Sequence, residues 1–193
     1  MLELAVLGLL HESPLHGYEL RQRLKATLGT FRAFSYGSLY PSLRRMRDAG
    51  WIAEDEGDAD IVAGAPALTG RRGKVVYKLT ADGKEKLAEL LAEAGPSAWE
   101  DETFGVHFAF FAQTDPEVRV RILEGRRSRL EERREGVRAS LARTRARLDS
   151  YTLQLQEHGL ESVEREVRWL TELIESERSN STSRPAVRPT SQS

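Results

Sequence analysis

The sequence predicts a mainly α chain with one small β-hairpin, followed by C-terminal antiparallel helices. Two observations in the first half carry this. Apolar residues recur at three- and four-residue spacing in several separate stretches, the pattern of amphipathic helices. Only two runs read as strands, Trp51 to Glu54 and Val75 to Leu79, the second with Val75, Tyr77 and Leu79 on one face. The third observation lies further on, where apolar residues fall into a seven-residue repeat. A chain of 193 residues holds one domain or two small ones.

Residues 2 to 11 read as a first helix with Leu2, Ala5, Val6, Leu9 and Leu10 inward, stopped by Ser13-Pro14. His16 to Leu28 reads as a second, contacting its neighbours through Tyr18, Leu20, Leu24 and Leu28, and Gly29-Thr30 as a turn. The stretch from Ser35 to Ile52 is the most telling. Leu39, Leu43 and Met46 make a buried stripe, Gly50 is a stop signal, and a strand begins at Trp51. Ser35, Tyr36, Ser38 and Tyr40 gather at the start of that helix, while Arg44, Arg45 and Arg47 lie mostly off the stripe. Hydroxyls reach phosphates or base edges, and guanidiniums neutralise backbone charge or read guanine, so such a helix suits a DNA groove. The bland alternative is an ordinary amphipathic core helix. After the second strand, Thr80 caps a further helix with Leu87, Leu90 and Leu91 inward. Helix, helix, helix, hairpin, helix is the order of a winged helix-turn-helix.

The net charge is −1, so the chain as a whole is not a polybasic nucleic-acid binder. Its distribution matters more. The first 50 residues set Arg21, Arg23, Lys25, Arg32, Arg44, Arg45 and Arg47 against Glu3, Glu12, Glu19 and Asp48. Residues 71 to 86 add Arg71, Arg72, Lys74, Lys78, Lys84 and Lys86 against Asp82 and Glu85. Basic charge thus collects in the proposed DNA module. There is no cysteine, which removes disulfides, thiolate metal sites and cysteine nucleophiles and fits a reducing cytoplasm. The apolar start from Leu2 to Leu10 is too short to span a bilayer, and no membrane partner is expected. The histidines, His11, His16, His107 and His158, are scattered. No metal, no cofactor and no catalytic constellation is expected, so the chain does not read as an enzyme.

Gly95-Pro96 marks a boundary, giving expected domains of 1–94 for DNA binding and 95–178 for helical dimerisation, with a disordered Ser/Thr/Pro tail at 179–193. Asp115-Pro116-Glu117 opens a helix running to about Glu157. Along it Leu130, Val137, Thr144 and Tyr151 recur every seven residues, as do Leu141, Leu148 and Leu155. Arg127 and Arg134 occupy apolar places in that repeat, so the seam is expected to weaken toward its N-terminal end. His158-Gly159 is expected to interrupt, and a last helix follows through Leu160, Val163, Val167, Leu170 and Ile174. The expected dimer contacts are Leu130, Val137, Leu141, Leu148, Tyr151, Leu155, Val167 and Leu170. The bland alternative packs these leucines within one chain, against the last helix. A further alternative is a protein-interaction module that uses the heptad helices with a different partner.

Five blocks in order carry a family resemblance: Leu4-Ala5-Val6-Leu7-Gly8-Leu9-Leu10, His16-Gly17-Tyr18-Glu19-Leu20, Gly37-Ser38-Leu39-Tyr40-Pro41-Ser42-Leu43, Gly50-Trp51-Ile52 and Tyr77-Lys78-Leu79-Thr80-Ala81-Asp82-Gly83. Over about the first 90 residues the chain resembles the PadR family of winged helix-turn-helix transcription regulators, and beyond them the helical dimerisation region of the longer PadR proteins. The resemblance implies a cytoplasmic homodimer that binds a double-stranded operator as a ligand-responsive repressor. Tyr18, Ser35, Tyr36, Ser38, Tyr40, Arg44, Arg45, Arg72 and Lys74 are the expected DNA contacts, with Pro41 accommodated in the first helical turn behind Tyr40. One stretch departs from the family. Asp55 to Gly73 is a longer wing loop with an acidic start and a basic end, expected to be a mobile hairpin tip.

In PadR-like proteins the C-terminal region can bind a small effector, and aromatics can line that site. Trp99, Phe104, His107, Phe108 and Phe111 form the candidate set, with Arg126, Arg127 and Arg129 as anion contacts. The competing and preferred reading is that these aromatics bury the junction between the two regions.

Overall fold

The computed structural model of the chain describes residues 1–29, 36–56 and 75–182, with the side chains of Tyr36, Glu56, Ser181 and Thr182 left aside. It divides into two compact units. The first comprises Met1–Glu93 with Glu100–Asp115, the second Ala94–Trp99 with Pro116–Ser193. The single break expected at residue 94 is therefore corrected, because residues 100–115 pack with the first unit. Their anchor is Phe110. A β-carbon at Gly8 would fall 2.5 Å from its ring, and Gln113 Nε2 donates to the Gly8 carbonyl at 3.3 Å.

In the first unit, α1 (Leu2–Glu12) is the central element. Every residue from Leu4 to Leu10 is buried, so α1 is enclosed all round rather than amphipathic. α2 (Gly17–Leu28) buries Leu20, Leu24 and Leu28, and its start is capped by Glu19, whose Oε2 accepts from the His16 N–H at 3.0 Å. α3 (Tyr36–Asp48) lays Leu39, Leu43 and Met46 into the same core.

A Schellman turn ends α3. Gly50 takes φ +78°, its N–H meets the Arg47 carbonyl at 2.9 Å, and the Trp51 N–H meets that of Met46 at 2.9 Å. Strand β2 (Ile52–Glu56) then pairs antiparallel with β3 (Val75–Leu79), Ile52 facing Leu79 and Glu54 facing Tyr77. A two-residue strand β1 (Leu15–His16) pairs with the other edge of β3. The sequence reading missed it, since two residues carry no periodicity.

Thr80 starts α4 (Ala81–Ala92) as expected. Its Oγ1 accepts from the Gly83 N–H at 3.0 Å and donates to the Gly50 carbonyl at 2.6 Å. This contact ties the end of α3 to the start of α4. Gly83 is needed there, since a β-carbon would lie 2.0 Å from the Trp51 carbonyl oxygen. α6 (Phe104–Ala109) and a 3-10 turn at Phe111–Gln113 complete the unit.

The second unit contains α5 (Pro96–Trp99), α7 (Pro116–Thr144) and α8 (Ser150–Thr182). Several sequence expectations change here. The long helix breaks at a 3-10 turn, Arg145–Arg147, and not at His158-Gly159, through which α8 runs uninterrupted. Asp149 caps the new start by accepting from the Tyr151 and Thr152 N–H groups at 3.0 Å. Leu148 thus sits in the connection, and Leu141, Leu148 and Leu155 share no helix face. α8 also extends to Thr182, four residues into the expected tail, while 183–193 lie outside the described residues.

The buried stripe of α7 is Val118, Ile122, Leu123, Arg126 and Leu130, in its N-terminal half. This is the reverse of the expected weakening. It meets Val163, Val167, Leu170 and Ile174 of α8. Ion pairs cross between α7 with its following turn and α8: Arg119 with Glu177 at 3.4 Å, Glu124 with Arg178, Arg138 with Glu164, and Arg145 with Glu157 at 3.0 Å. Each exposed pair adds little stability, but together they favour one antiparallel register.

A candidate nucleic-acid interface on the third helix

α3 has two faces with different chemistry. Inward, Leu39, Leu43 and Met46 fix its depth in the core, and the Ser42 side chain is buried with them. Outward stand Ser38, Tyr40, Arg44, Arg45 and Arg47. Arg45 is 72% exposed and lies 4.0 Å from Glu3. Arg47 is held by carboxylates on both sides, Asp48 and Glu54. The resulting surface offers hydroxyls at the N-terminal end of the helix and guanidiniums farther along it.

Tyr40 is 39% exposed, so one ring edge is packed and the other open. It leans on the start of α2. A β-carbon at Gly17 would lie 3.7 Å from its Cε1, 3.8 Å from its hydroxyl, and 3.4 Å from the ring of Tyr77. Two tyrosines from α3 and β3 therefore flank one glycine. Burial first, and then the Glu54 carboxylate, raise the Tyr77 hydroxyl above its ordinary pKa, keeping it neutral. On α2, Tyr18 is equally exposed, and its hydroxyl accepts from Gln22 Nε2 at 2.8 Å. Gln22 was not singled out from sequence, though its place one turn after Tyr18 was a usable signal.

Pro41 differs from expectation. It lies inside α3 and not in its first turn, so the Gly37 carbonyl lacks the N–H four residues on. Both residues are exposed. Ser35, Arg72, Lys74 and the wing loop from 57 onward lie outside the described residues, and the Tyr36 side chain is not described. The structure thus brings Tyr18, Ser38, Tyr40, Arg44 and Arg45 onto α2 and α3 of the first unit.

The candidate effector residues are distributed over both units. Phe104, His107, Phe108 and Phe111 belong to the first, with ring centroids 5.7 Å apart for Phe104 and Phe108 and 5.0 Å for Phe108 and Phe111. His107, on the same helix as Phe104 and Phe108, is buried, its Nε2 has no partner among the described residues, and burial lowers its pKa from 6.5 to about 4. Trp99 and Arg126 belong to the second unit. Arg126 is occupied otherwise than expected. Its Nε and Nη2 donate to Glu166 Oε1 at 3.0 and 2.8 Å, and Nη1 donates to the Trp99 carbonyl at 3.2 Å. This buried guanidinium clamps α5 and α8 onto α7.

The expected dimer contacts also separate. Leu130, Val167 and Leu170 are buried within the single chain, at 2%, 6% and 0% exposure. Val137, Leu141 and Leu148 are half-buried, whereas Tyr151 and Leu155 are 83% and 67% exposed. Among the described residues no group of acidic, histidine or cysteine side chains fits a metal ion, and no helix is long and apolar enough to cross a membrane.

Residues 6–89 match the sequence pattern of the transcriptional regulator PadR-like family. The negative transcriptional regulator PadR of Bacillus subtilis (strain 168) is 30% identical over 97 residues, which are 50% of this chain and 48% of that protein. The chain thus matches about half the length of its curated relative. Among solved structures, Bacillus subtilis PadR in complex with operator DNA aligns over 91% of this chain and 98% of that one, at 22% identity and a TM-score of 0.41. The same protein in complex with p-coumaric acid aligns over 92% and 98%, at 21% identity and a TM-score of 0.41. The first three helices, the hairpin and the capped fourth helix lie in or overlap residues 6–89, the segment in which this chain is similar to the transcriptional regulator PadR-like family.

Proposed function

We propose that the chain is a sequence-specific DNA-binding transcriptional regulator, a ligand-responsive repressor that acts as a homodimer. The observation that carries this reading is the two-faced α3 of a PadR-like domain, apolar residues inward and Ser38, Tyr40, Arg44 and Arg45 outward. In this reading α3 enters the major groove, Arg44 reads a base edge, Tyr40 and Tyr18 place their hydroxyls at phosphates, and Arg45 neutralises the backbone.

Pairing of two modules supplies the selectivity that one lacks, with half-sites about one helical turn apart. Exposed Tyr151 and Leu155 support a partner on α8, since large apolar side chains seldom stay uncovered side by side. The repressor assignment follows the curated relative, a negative regulator. The effector reading is supported by buried His107, with its unpartnered nitrogen, close in the chain to Phe104, Phe108 and Phe111. A ligand there regulates only by favouring one arrangement of the protein over another.

The test is selection of bound duplexes from a random-sequence pool, followed by titration of the enriched site. Arg44→Ala should cost about 1–3 kcal/mol and relax preference at one base, and Tyr40→Phe should weaken binding by less. Absence of any enriched sequence overturns the DNA reading. If both variants bind like the parent at equal salt, α3 is not the reading helix.

A further inference from the structure

Arg47 points outward from α3 beside Arg44 and Arg45, yet its guanidinium is engaged from two directions. Nη1 donates to Glu54 Oε1 at 3.2 Å and Oε2 at 3.4 Å, while Nε and Nη2 donate to Asp48 Oδ1 at 3.1 and 2.9 Å. Asp48 closes the same helix, but Glu54 belongs to β2. From Glu54 the contacts form a ring. Glu54 faces Tyr77 in the sheet, Tyr77 lies against Gly17 at the start of α2, and Tyr40 of α3 lies against the same glycine.

We infer that Glu54 is a specificity-determining positioning residue, which holds Arg47 off the phosphate backbone and fixes α3 to the hairpin. The inference rests on the DNA-binding reading above. A free arginine beside a reading helix adds affinity for any duplex, because phosphate contacts carry no sequence information. Binding to non-operator DNA then rises, while binding to the operator gains nothing comparable, because α3 is no longer held at one angle to the hairpin. A carboxylate that already occupies the guanidinium suppresses that gain. The pair is solvent-exposed, so its loss should barely alter folding, which separates a positioning role from a structural one.

The experiment measures affinity for the selected operator and for a scrambled duplex of equal length, at one salt concentration, in a double-mutant cycle. Glu54→Gln should raise affinity for the scrambled duplex about two- to fivefold and lower the operator-to-scrambled ratio, with the parent's thermal midpoint. In an Arg47→Met background the same substitution should leave the ratio unchanged, and Arg47→Met alone should lower operator affinity only slightly, through the lost tie between α3 and the hairpin. Three results overturn the inference. An equal gain from Glu54→Gln in both backgrounds would assign the effect to repulsion between Glu54 and phosphate. A parental ratio for Glu54→Gln would give Glu54 no role. A large loss of operator binding in Arg47→Met would make Arg47 itself a reader. A parent that enriches no duplex removes the DNA-binding reading and this inference together, whereas any of the three results removes this inference alone.

Discussion

Trp99 packs against Gly125, so close that a β-carbon at 125 would fall 2.4 Å from its ring. The glycine is therefore a seat for the indole, and α5 docks on α7 through it. Gly125→Ala should cost about 1–3 kcal/mol, as overpacking does, and shift tryptophan emission to the red as the ring is displaced. Parental emission and thermal midpoint in that variant would show that Trp99 does not occupy the seat.

The Arg126 clamp sets a second expectation. Arg126 is 7% exposed, while the side chain of its partner Glu166 is about one-third exposed. Arg126→Met removes three donors and leaves Glu166 to partial rescue by water. The loss should be about 1–3 kcal/mol, below that of a fully buried broken pair. Arg126→Met with Glu166→Gln should recover part of it. Equal stability of the single variant and the parent in urea would contradict the clamp.

His107 makes stability depend on pH. Its pKa in the folded chain is about 4, against 6.5 ordinarily, with burial the main cause and the nearby N-terminal ammonium a lesser one. At pH above 6.5 both folded and unfolded states hold it neutral, and its contribution is fully present. As pH falls from 6.5 toward 4, the unfolded chain takes up the proton first, and about 3 kcal/mol is lost across that window. His107→Leu should flatten the pH dependence of the urea midpoint there. Parallel curves for parent and variant would mean that the imidazole is not held neutral.

Leu170 and Leu155 separate folding from association. Leu170 is fully buried within the chain, so Leu170→Ala should cost about 2–5 kcal/mol and lower helicity on warming. Leu155 is 67% exposed, so Leu155→Glu should keep parental circular dichroism and weaken self-association in sedimentation. A Leu155→Glu variant that sediments as a dimer at every dilution would put the association surface elsewhere.

Much of the first unit was legible in the residues. The stripe of Leu39, Leu43 and Met46, the stop at Gly50, the alternation of Val75, Tyr77 and Leu79 and the cap at Thr80 each act within a few residues. Local sequence is enough to specify such features, because capping, turn geometry and side-chain period are themselves local. The outward hydroxyls and arginines of α3 followed from the same period.

The tertiary structure decided what depends on distant partners. Arg126 hid the true stripe of α7, since a charge reads as a surface residue until Glu166, forty residues away in sequence, accepts its hydrogen bonds. The break between α7 and α8 fell at residues 145–149, where the chain turns back so that α8 pairs with α7, and Gly159 was carried through a helix whose neighbours on both sides propagate it. Residues 100–115 joined the first unit because Gly8 leaves room for Phe110, a complementarity no single segment displays. Burial separated Leu170 from Leu155, two leucines of the same helix. Their sequence is equally apolar; only packing within one chain covers the first and leaves the second to solvent.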